Sequence, residues 1–432
     1  MDMKTFLTVV YCLFLLGMPG KCFSQPDNAG NKPEHIIVNL TEKPSESVAV
    51  TWRTRDAVAQ MLQWVEVTDS PVIPDKEQVL TANSSTDTYI DGDIPPLVVT
   101  NHSVVIGNLK PASQYLYRVG SEDAWSEWIG FKTAGTENDP ISFIYFGDVQ
   151  TNIKSQWSRV MRKAYSMAPD AGFLFYAGDL INHTHSEEEW KQWFEAGSFI
   201  HATIPSMMTP GNHEYDSTAL DNHWRPQFTL PENGPQMDLL SETVYYVDYQ
   251  GLRIISINAD MMDESPEAAE KTKVWLEKVL AENKKPWTIL TLHFPFYSTK
   301  ANRDNAELRE NFQPMVEKYG VDMVLTGHDH AYGRGWENIE SMTKPGEISG
   351  PVYVVSVSGP KQYDLSAQSW MSRKGGNIQL FQLISIDNNK LNYKAYTASG
   401  TLYDEFDLIK QAGKANKLID KAPSTPERLY TR

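Results

Sequence analysis

The chain has 432 residues, with 39 Lys and Arg against 55 Asp and Glu and a net charge of -16, which excludes a surface built to hold nucleic acid or anionic membrane. That length predicts about two or three domains. Its only cysteines, Cys12 and Cys22, lie within the first 24 residues, so a processed chain would carry neither disulfides nor thiolate metal sites.

Residues 1–24 read as a secretory signal: Lys4 precedes an apolar run over 6–16, and Cys22-Phe23-Ser24 offers a cleavage site. A lipoprotein anchor on Cys22 ranks second, because Lys21 before it fits poorly. No later stretch is long and apolar enough for a membrane span, so an exported protein, periplasmic or extracellular, is expected. Asn39, Asn83, Asn101 and Asn182 each begin a glycosylation sequon, and a glycan on Asn182 would block the site proposed below.

Residues 34–134 alternate as half-buried strands do. Val48, Val50 and Trp52 interleave with Ala49, Thr51 and Arg53, and Tyr115, Tyr117 and Val119 with Leu116, Arg118 and Gly120. Leu109, Pro111 and Tyr115 stand where a β-sandwich builds its tyrosine corner, so the segment resembles a fibronectin type III module. A polar linker over 134–140 follows.

From 141 to 410 the period alternates between strand and helix. Residues 141–146 form an apolar run that stops at Gly147-Asp148, and Ile153, Trp157, Val160, Met161, Ala164 and Met167 then recur at helical spacing. The run over 172–177 ends at Gly178-Asp179, and Ser186 with Glu189 forms a capping box for a helix carrying Trp190, Trp193 and Phe194, all read as packing residues. Residues 204–209 lead into Gly211-Asn212-His213-Glu214, and 244–258 read as a hairpin turning at Gln250-Gly251. The stretch 215–242 lacks a period and is expected to shape a pocket. Helices over 267–283 and 308–319 alternate with strands over 287–292, ending at His293, and 321–325, ending before Gly327-His328-Asp329-His330. Strands over 352–357, 378–386 and 391–397 close the domain, and 411–432 read as an irregular tail.

Five strand ends thus carry Asp148 with Gln150, Asp179 with Asn182, Asn212 with His213, His293, and His328 with His330. One such histidine or Gly-Asp turn is more often structural. Their recurrence, with eight of the ten histidines between 183 and 330, decides for a metal site. Imidazole, carboxylate and amide oxygen without sulfur suit two divalent ions rather than a structural zinc. Two ions about 3.5–4 Å apart need a shared ligand, which a carboxylate can be and an imidazole cannot; Asp179, between the other motifs, is the choice. His183 and His185 lie close enough in sequence to touch substrate, whereas His201 and His223 read as packing residues.

The order of these blocks, through Gly327-His328-Asp329-His330-Ala331-Tyr332-Gly333-Arg334, resembles the calcineurin-like metallophosphoesterases and, more closely, their purple acid phosphatase branch, which also carries a fibronectin-like module in front. The resemblance implies a multidomain protein: an all-β sandwich, then an α/β metallophosphoesterase domain with a β-sandwich core flanked by helices. It implies Asp148, Asp179 and His330 on a first metal, and Asp179, Asn212, His293 and His328 on a second. His213 would face the leaving group, and Asn182, His183, His185 and Tyr332 are candidate substrate contacts. Arg334 would hold the phosphoryl group, with an ion pair to an acid such as Glu337 weighed equally.

The branch places an iron-binding tyrosine where this chain has Asn182, and other superfamily members place a histidine where it has Gln150. A weakened first site follows, with the Gln150 amide oxygen as a candidate ligand and a colourless enzyme using manganese, zinc or ferrous iron. A water between the ions, its pKa lowered to about 7, would attack a small phosphoester in line. An acid-phosphatase-like phosphomonoesterase is therefore expected, with a phosphodiesterase as the alternative. A noncatalytic surface-binding protein with a decayed site is the rival from another class.

Overall fold

The computed structural model describes residues 28–73, 77–92, 95–336, 347–348 and 350–429. The leader expected over 1–24 lies outside them.

The N-terminal domain is a sandwich. One sheet holds Glu34–Leu40, Val48–Thr54, Leu97–Ile106 and Asn83–Tyr89, and the other Gln78–Thr81, Met61–Glu66, Gln114–Ser121 and Ile129–Lys132. Val38, Val50, Trp52, Leu62, Tyr117 and Val119 meet between them. The Tyr115 hydroxyl accepts the Lys110 backbone N–H at 2.9 Å, which closes the tyrosine corner.

One expectation fails here for a physical reason. Val48–Thr54 is buried along its whole length, not on alternate residues. Its second face packs on the following domain: the Thr51 hydroxyl lies 3.3 Å from that of Thr229, and Arg53 pairs with Glu187 at 2.6 Å. The two domains also share a sheet, because Glu34–Leu40 runs parallel to Ser206–Met208 with Asn39 opposite Ser206. Asn39 and Asn101 are therefore buried, which removes two of the four sequons from any glycan.

The second domain stacks two sheets, as expected. In the first, Ile141–Phe146, Phe173–Tyr176 and Ser206–Met208 run parallel, with Leu380–Asp387, Lys390–Thr397, Leu402–Ile409 and Asn416–Asp420 added antiparallel at one side. In the second, Leu252–Ser256, Trp287–Thr291, Met323–Thr326 and Val352–Val355 run parallel. Tyr245–Tyr249 pairs at one edge, and Tyr332–Gly335 with Met371–Gly375 at the other. Phe143, Tyr145 and Phe173 from the first sheet share one core with Ile254, Ile289 and Leu325 from the second. Helices Ser158–Met167 and Glu187–Gly197 cover one outer face, and Pro266–Ala281 and Ala306–Lys318 the other.

The segment read as an irregular tail instead contributes the strand Asn416–Asp420, which pairs with Leu402–Ile409 on one side and with Glu347–Ile348 on the other. Of its residues only Leu418 is buried. Among the described residues no helix is long and apolar enough to cross a membrane.

Candidate metal centre

Both sheets deliver their polar residues at the C-terminal ends of parallel strands, where side chains from separate strands converge. Ile141–Phe146 leads to Asp148, Phe173–Tyr176 to Asp179, Ser206–Met208 to Asn212 and His213, Trp287–Thr291 to His293, and Met323–Thr326 to His328 and His330. The backbone turns sharply there: φ is +52° at Asp179, +73° at His328 and +50° at His330. Such left-handed conformations are unfavourable for side-chain-bearing residues and persist where surrounding contacts hold them. Gly178, at φ +89°, leaves no room for more, since a Cβ would lie 2.6 Å from the Gly211 nitrogen and 2.7 Å from His293 Nδ1.

Two donor sets result, each with all its donor atoms within 4.8 Å: Asp179, His293 and His328, and Asp148, Asp179 and His330. Asp179 belongs to both. His293 Nε2 lies 3.2 Å from Asp179 Oδ1 and 4.0 Å from Asp148 Oδ1, while His330 Nε2 lies 3.6 Å from Asp148 Oδ1. His328 Nδ1 is 3.3 Å from His293 Nε2. Asn212 Oδ1 is buried without a hydrogen-bond partner, an arrangement that is costly unless something electropositive faces that oxygen. Carboxylate, imidazole and an orphaned amide oxygen form a donor set that fits divalent cations.

The imidazoles are oriented from behind. His293 Nδ1 sits 2.8 Å from the Ala177 carbonyl and His330 Nδ1 3.0 Å from that of Lys361, leaving each Nε2 turned toward the carboxylates. Burial and then Asp179 act on Asp148, pushing it up to about 7. Burial works against a charged His293, but Asp179 and Asp148 raise it to about 10. Asp179, despite its burial, is held below the usual carboxylate range by His293. Burial lowers His330 to about 3 and takes His328 well below its usual value.

Glu214 builds the loops around it. Its buried carboxylate accepts the backbone N–H groups of Asp179, Leu180, Ile181 and Gly211 at 2.7–3.2 Å. Glu189 does the same nearby, accepting from Asn182 N at 2.6 Å and His183 N at 2.9 Å. The Asn182 carbonyl in turn receives His213 Nδ1 at 2.6 Å, and the His213 backbone N–H donates to Asp179 Oδ1 at 3.1 Å.

Several expected site residues are placed differently. The Gln150 amide nitrogen donates to Asp179 Oδ2, while its oxygen accepts from the Lys361 ammonium. An ammonium has only donors, so Lys361 fixes this orientation and withdraws the amide oxygen from the ligand role. Arg334 does not reach the centre. It is fully buried, with its guanidinium committed to Asp404 at 2.7 Å, Asp420 at 3.1 Å and the Ser372 hydroxyl at 2.6 Å. The acids beside it are Asp404 and Asp420, and Glu337 lies outside the described residues. Tyr332 is also buried, donating to Asp404 at 2.6 Å, so both side chains are held by Asp404 rather than turned toward the donor cluster. His183 is exposed on the rim, 2.8 Å from Glu189, and His185 is drawn aside by Asp221 and Asn222. His201 stacks on Trp193 in the core, and His223 lies between Asp221 and Glu187.

Residues 33–133 match the family model described as purple acid phosphatase, N-terminal domain, and residues 141–332 the calcineurin-like phosphoesterase model. Acid phosphatase type 7 from Mus musculus is 23% identical over 380 residues, covering 81% of this chain and 82% of its own. Purple acid phosphatase 21 from Arabidopsis thaliana is 27% identical over 351 residues, covering 77% of this chain and 73% of its own. The solved purple acid phosphatase from yellow lupin (Lupinus luteus) seeds superposes with a TM-score of 0.72 at 20% identity, covering 87% of this chain and 74% of its own. The protein belongs to the calcineurin-like phosphoesterases, in their purple acid phosphatase-like branch, and is a metal-dependent phosphoesterase.

Proposed function

We propose that the protein is an exported phosphomonoesterase working with two divalent ions, manganese, zinc or ferrous iron. The observation that carries this reading is the pair of donor sets sharing Asp179, with the orphaned Asn212 oxygen beside them. Asp148, Asp179 and His330 would hold one ion, and Asp179, Asn212, His293 and His328 the other. Bound there, the ions would supply Lewis acidity and a water acidic enough to attack phosphorus near neutral pH.

This chain's own residues do the rest. The Ala177 and Lys361 carbonyls lock His293 and His330 with Nε2 inward. His213, anchored through Nδ1 on the Asn182 carbonyl, offers Nε2 as the donor of a proton to the departing oxygen. Asn182, in place of a phenolate ligand, predicts no strong visible charge-transfer band. Export rests on the apolar leader over 6–16, and the sandwich over 34–134 is read as fibronectin type III-like on its two sheets and the Tyr115 corner.

The test is turnover of p-nitrophenyl phosphate against its bis ester by metal-loaded protein. Preference for the monoester supports this reading. Preference for the bis ester makes the protein a phosphodiesterase on the same residues, and turnover of neither leaves a noncatalytic binding protein.

A further inference from the structure

Lys361 belongs to no motif, yet it meets the centre from two directions. Its carbonyl holds His330 Nδ1 at 3.0 Å, and its side chain reaches across the mouth. There the ammonium donates to Gln150 Oε1, to Asn182 Oδ1 at 3.2 Å, and approaches His213 Nε2 at 3.3 Å. The Gln150 and Asn182 oxygens are neutral amide acceptors. Among the described residues the ammonium has no ion pair with a carboxylate, although the side chain is half-buried. Lys300 stands close by, its ammonium 4.1 Å from the centre of the Tyr363 ring, which packs on His330 at 4.5 Å. A chain of net charge -16 therefore keeps a cation with no direct carboxylate partner beside the proposed leaving-group donor.

A cation held by neutral acceptors can exchange one of them for an anionic oxygen and gain a charge-assisted hydrogen bond. The contact with His213 is the longest of the three and the one whose release frees Nε2 for the leaving group. We propose that Lys361 binds a nonbridging phosphoryl oxygen of the substrate and favours a monoester dianion over a diester monoanion. The inference rests on the phosphomonoesterase reading and gives the substrate contact that the buried Arg334 does not make. Gln150 and Asn182 act here as positioning residues, since they hold the ammonium at the mouth.

The experiment uses the metal-loaded full chain as wild type, K361Q and K361R, with metal content, orthophosphate affinity by calorimetry, and kcat and KM for both p-nitrophenyl esters. K361Q should weaken orthophosphate about 10- to 100-fold and raise KM for the monoester similarly. The bis ester should change by less, metal content should not fall below the wild-type level, and K361R should recover most of the affinity. Unchanged orthophosphate affinity in K361Q overturns the proposal, and so does equal loss on both esters together with loss of metal. Wild type that binds orthophosphate through Lys361 without hydrolysing either ester would sink the enzyme reading alone. A wild type that hydrolyses the monoester while K361Q binds phosphate unchanged would sink this inference alone.

Discussion

The two halves of the centre are built on one carboxylate but are not equivalent. On the side of His293 and His328, Asp179 presents Oδ1, the Ala177 carbonyl stands behind His293, and Asn212 adds an oxygen with nothing else to bind. On the side of His330, Asp179 Oδ2 already accepts from Gln150, and Lys361 places a positive charge behind that amide. A cation entering the second half finds the unpartnered Asn212 oxygen and shares Asp179 Oδ1 with the His213 backbone N–H. One entering the first competes with an N–H donor and is repelled by an ammonium. The difference teaches that a shared ligand does not imply shared affinity: the groups behind each oxygen set the strength of each position.

The largest effect should come from removing what the halves share. Asp179→Ala is expected to abolish phosphoester turnover and the retention of both ions, read by metal analysis after gel filtration; a variant that keeps one ion would break the claim that the carboxylate bridges. His213→Ala should separate chemistry from binding, lowering kcat by about 10²–10⁴ while both metals stay. Loss of metal in that variant would show that its contact with Asp179 is structural. Gln150→Ala should relieve the first half alone, changing metal affinity there by about 10- to 100-fold and leaving the second half as it was. Equal changes at both positions would contradict the asymmetry.

The smallest effect lies away from the centre, at the seam between the domains, and serves as its contrast. Burial disfavours the Glu187 carboxylate, but His223 and Arg53 hold it down at about 2, from an ordinary 4.5. A depressed carboxylate contributes stability above its unfolded value that is lost as pH falls through the folded one, so the seam should weaken between pH 4.5 and about 2. The size is about 3 kcal/mol. Glu187→Gln should flatten the pH dependence of Tm in that window without touching metal content, and an unchanged profile would remove the seam from the account.

Much of this was legible in the sequence because it is written in local pattern. Apolar runs that stop at Gly147-Asp148, Gly178-Asp179 and Gly327-His328 mark strand ends whether or not the partners are known, and parallel pairing then brings them together. What was not legible depends on distant partners. Arg334 follows the last motif closely, but Asp404, 70 residues away, decides that it is buried and paired. Lys361 sits in a Gly-Pro-Lys loop with no periodicity to betray it, and only the fold sets it against Gln150 and Asn182. Glu214 was visible as part of a motif, but its four backbone donors come from two loops that meet only in the folded chain. Residues 48–54 carried the alternation of a half-exposed strand, and docking of the second domain overrode it.

Stepwise titration of the metal-free protein with manganese or zinc, read by calorimetry alongside turnover of p-nitrophenyl phosphate, tests the central claim most directly. The account predicts two ions per chain in two steps of unequal affinity, with activity following the second. A single step of two equal ions would contradict the asymmetry, and no binding with no turnover would contradict the proposed centre itself.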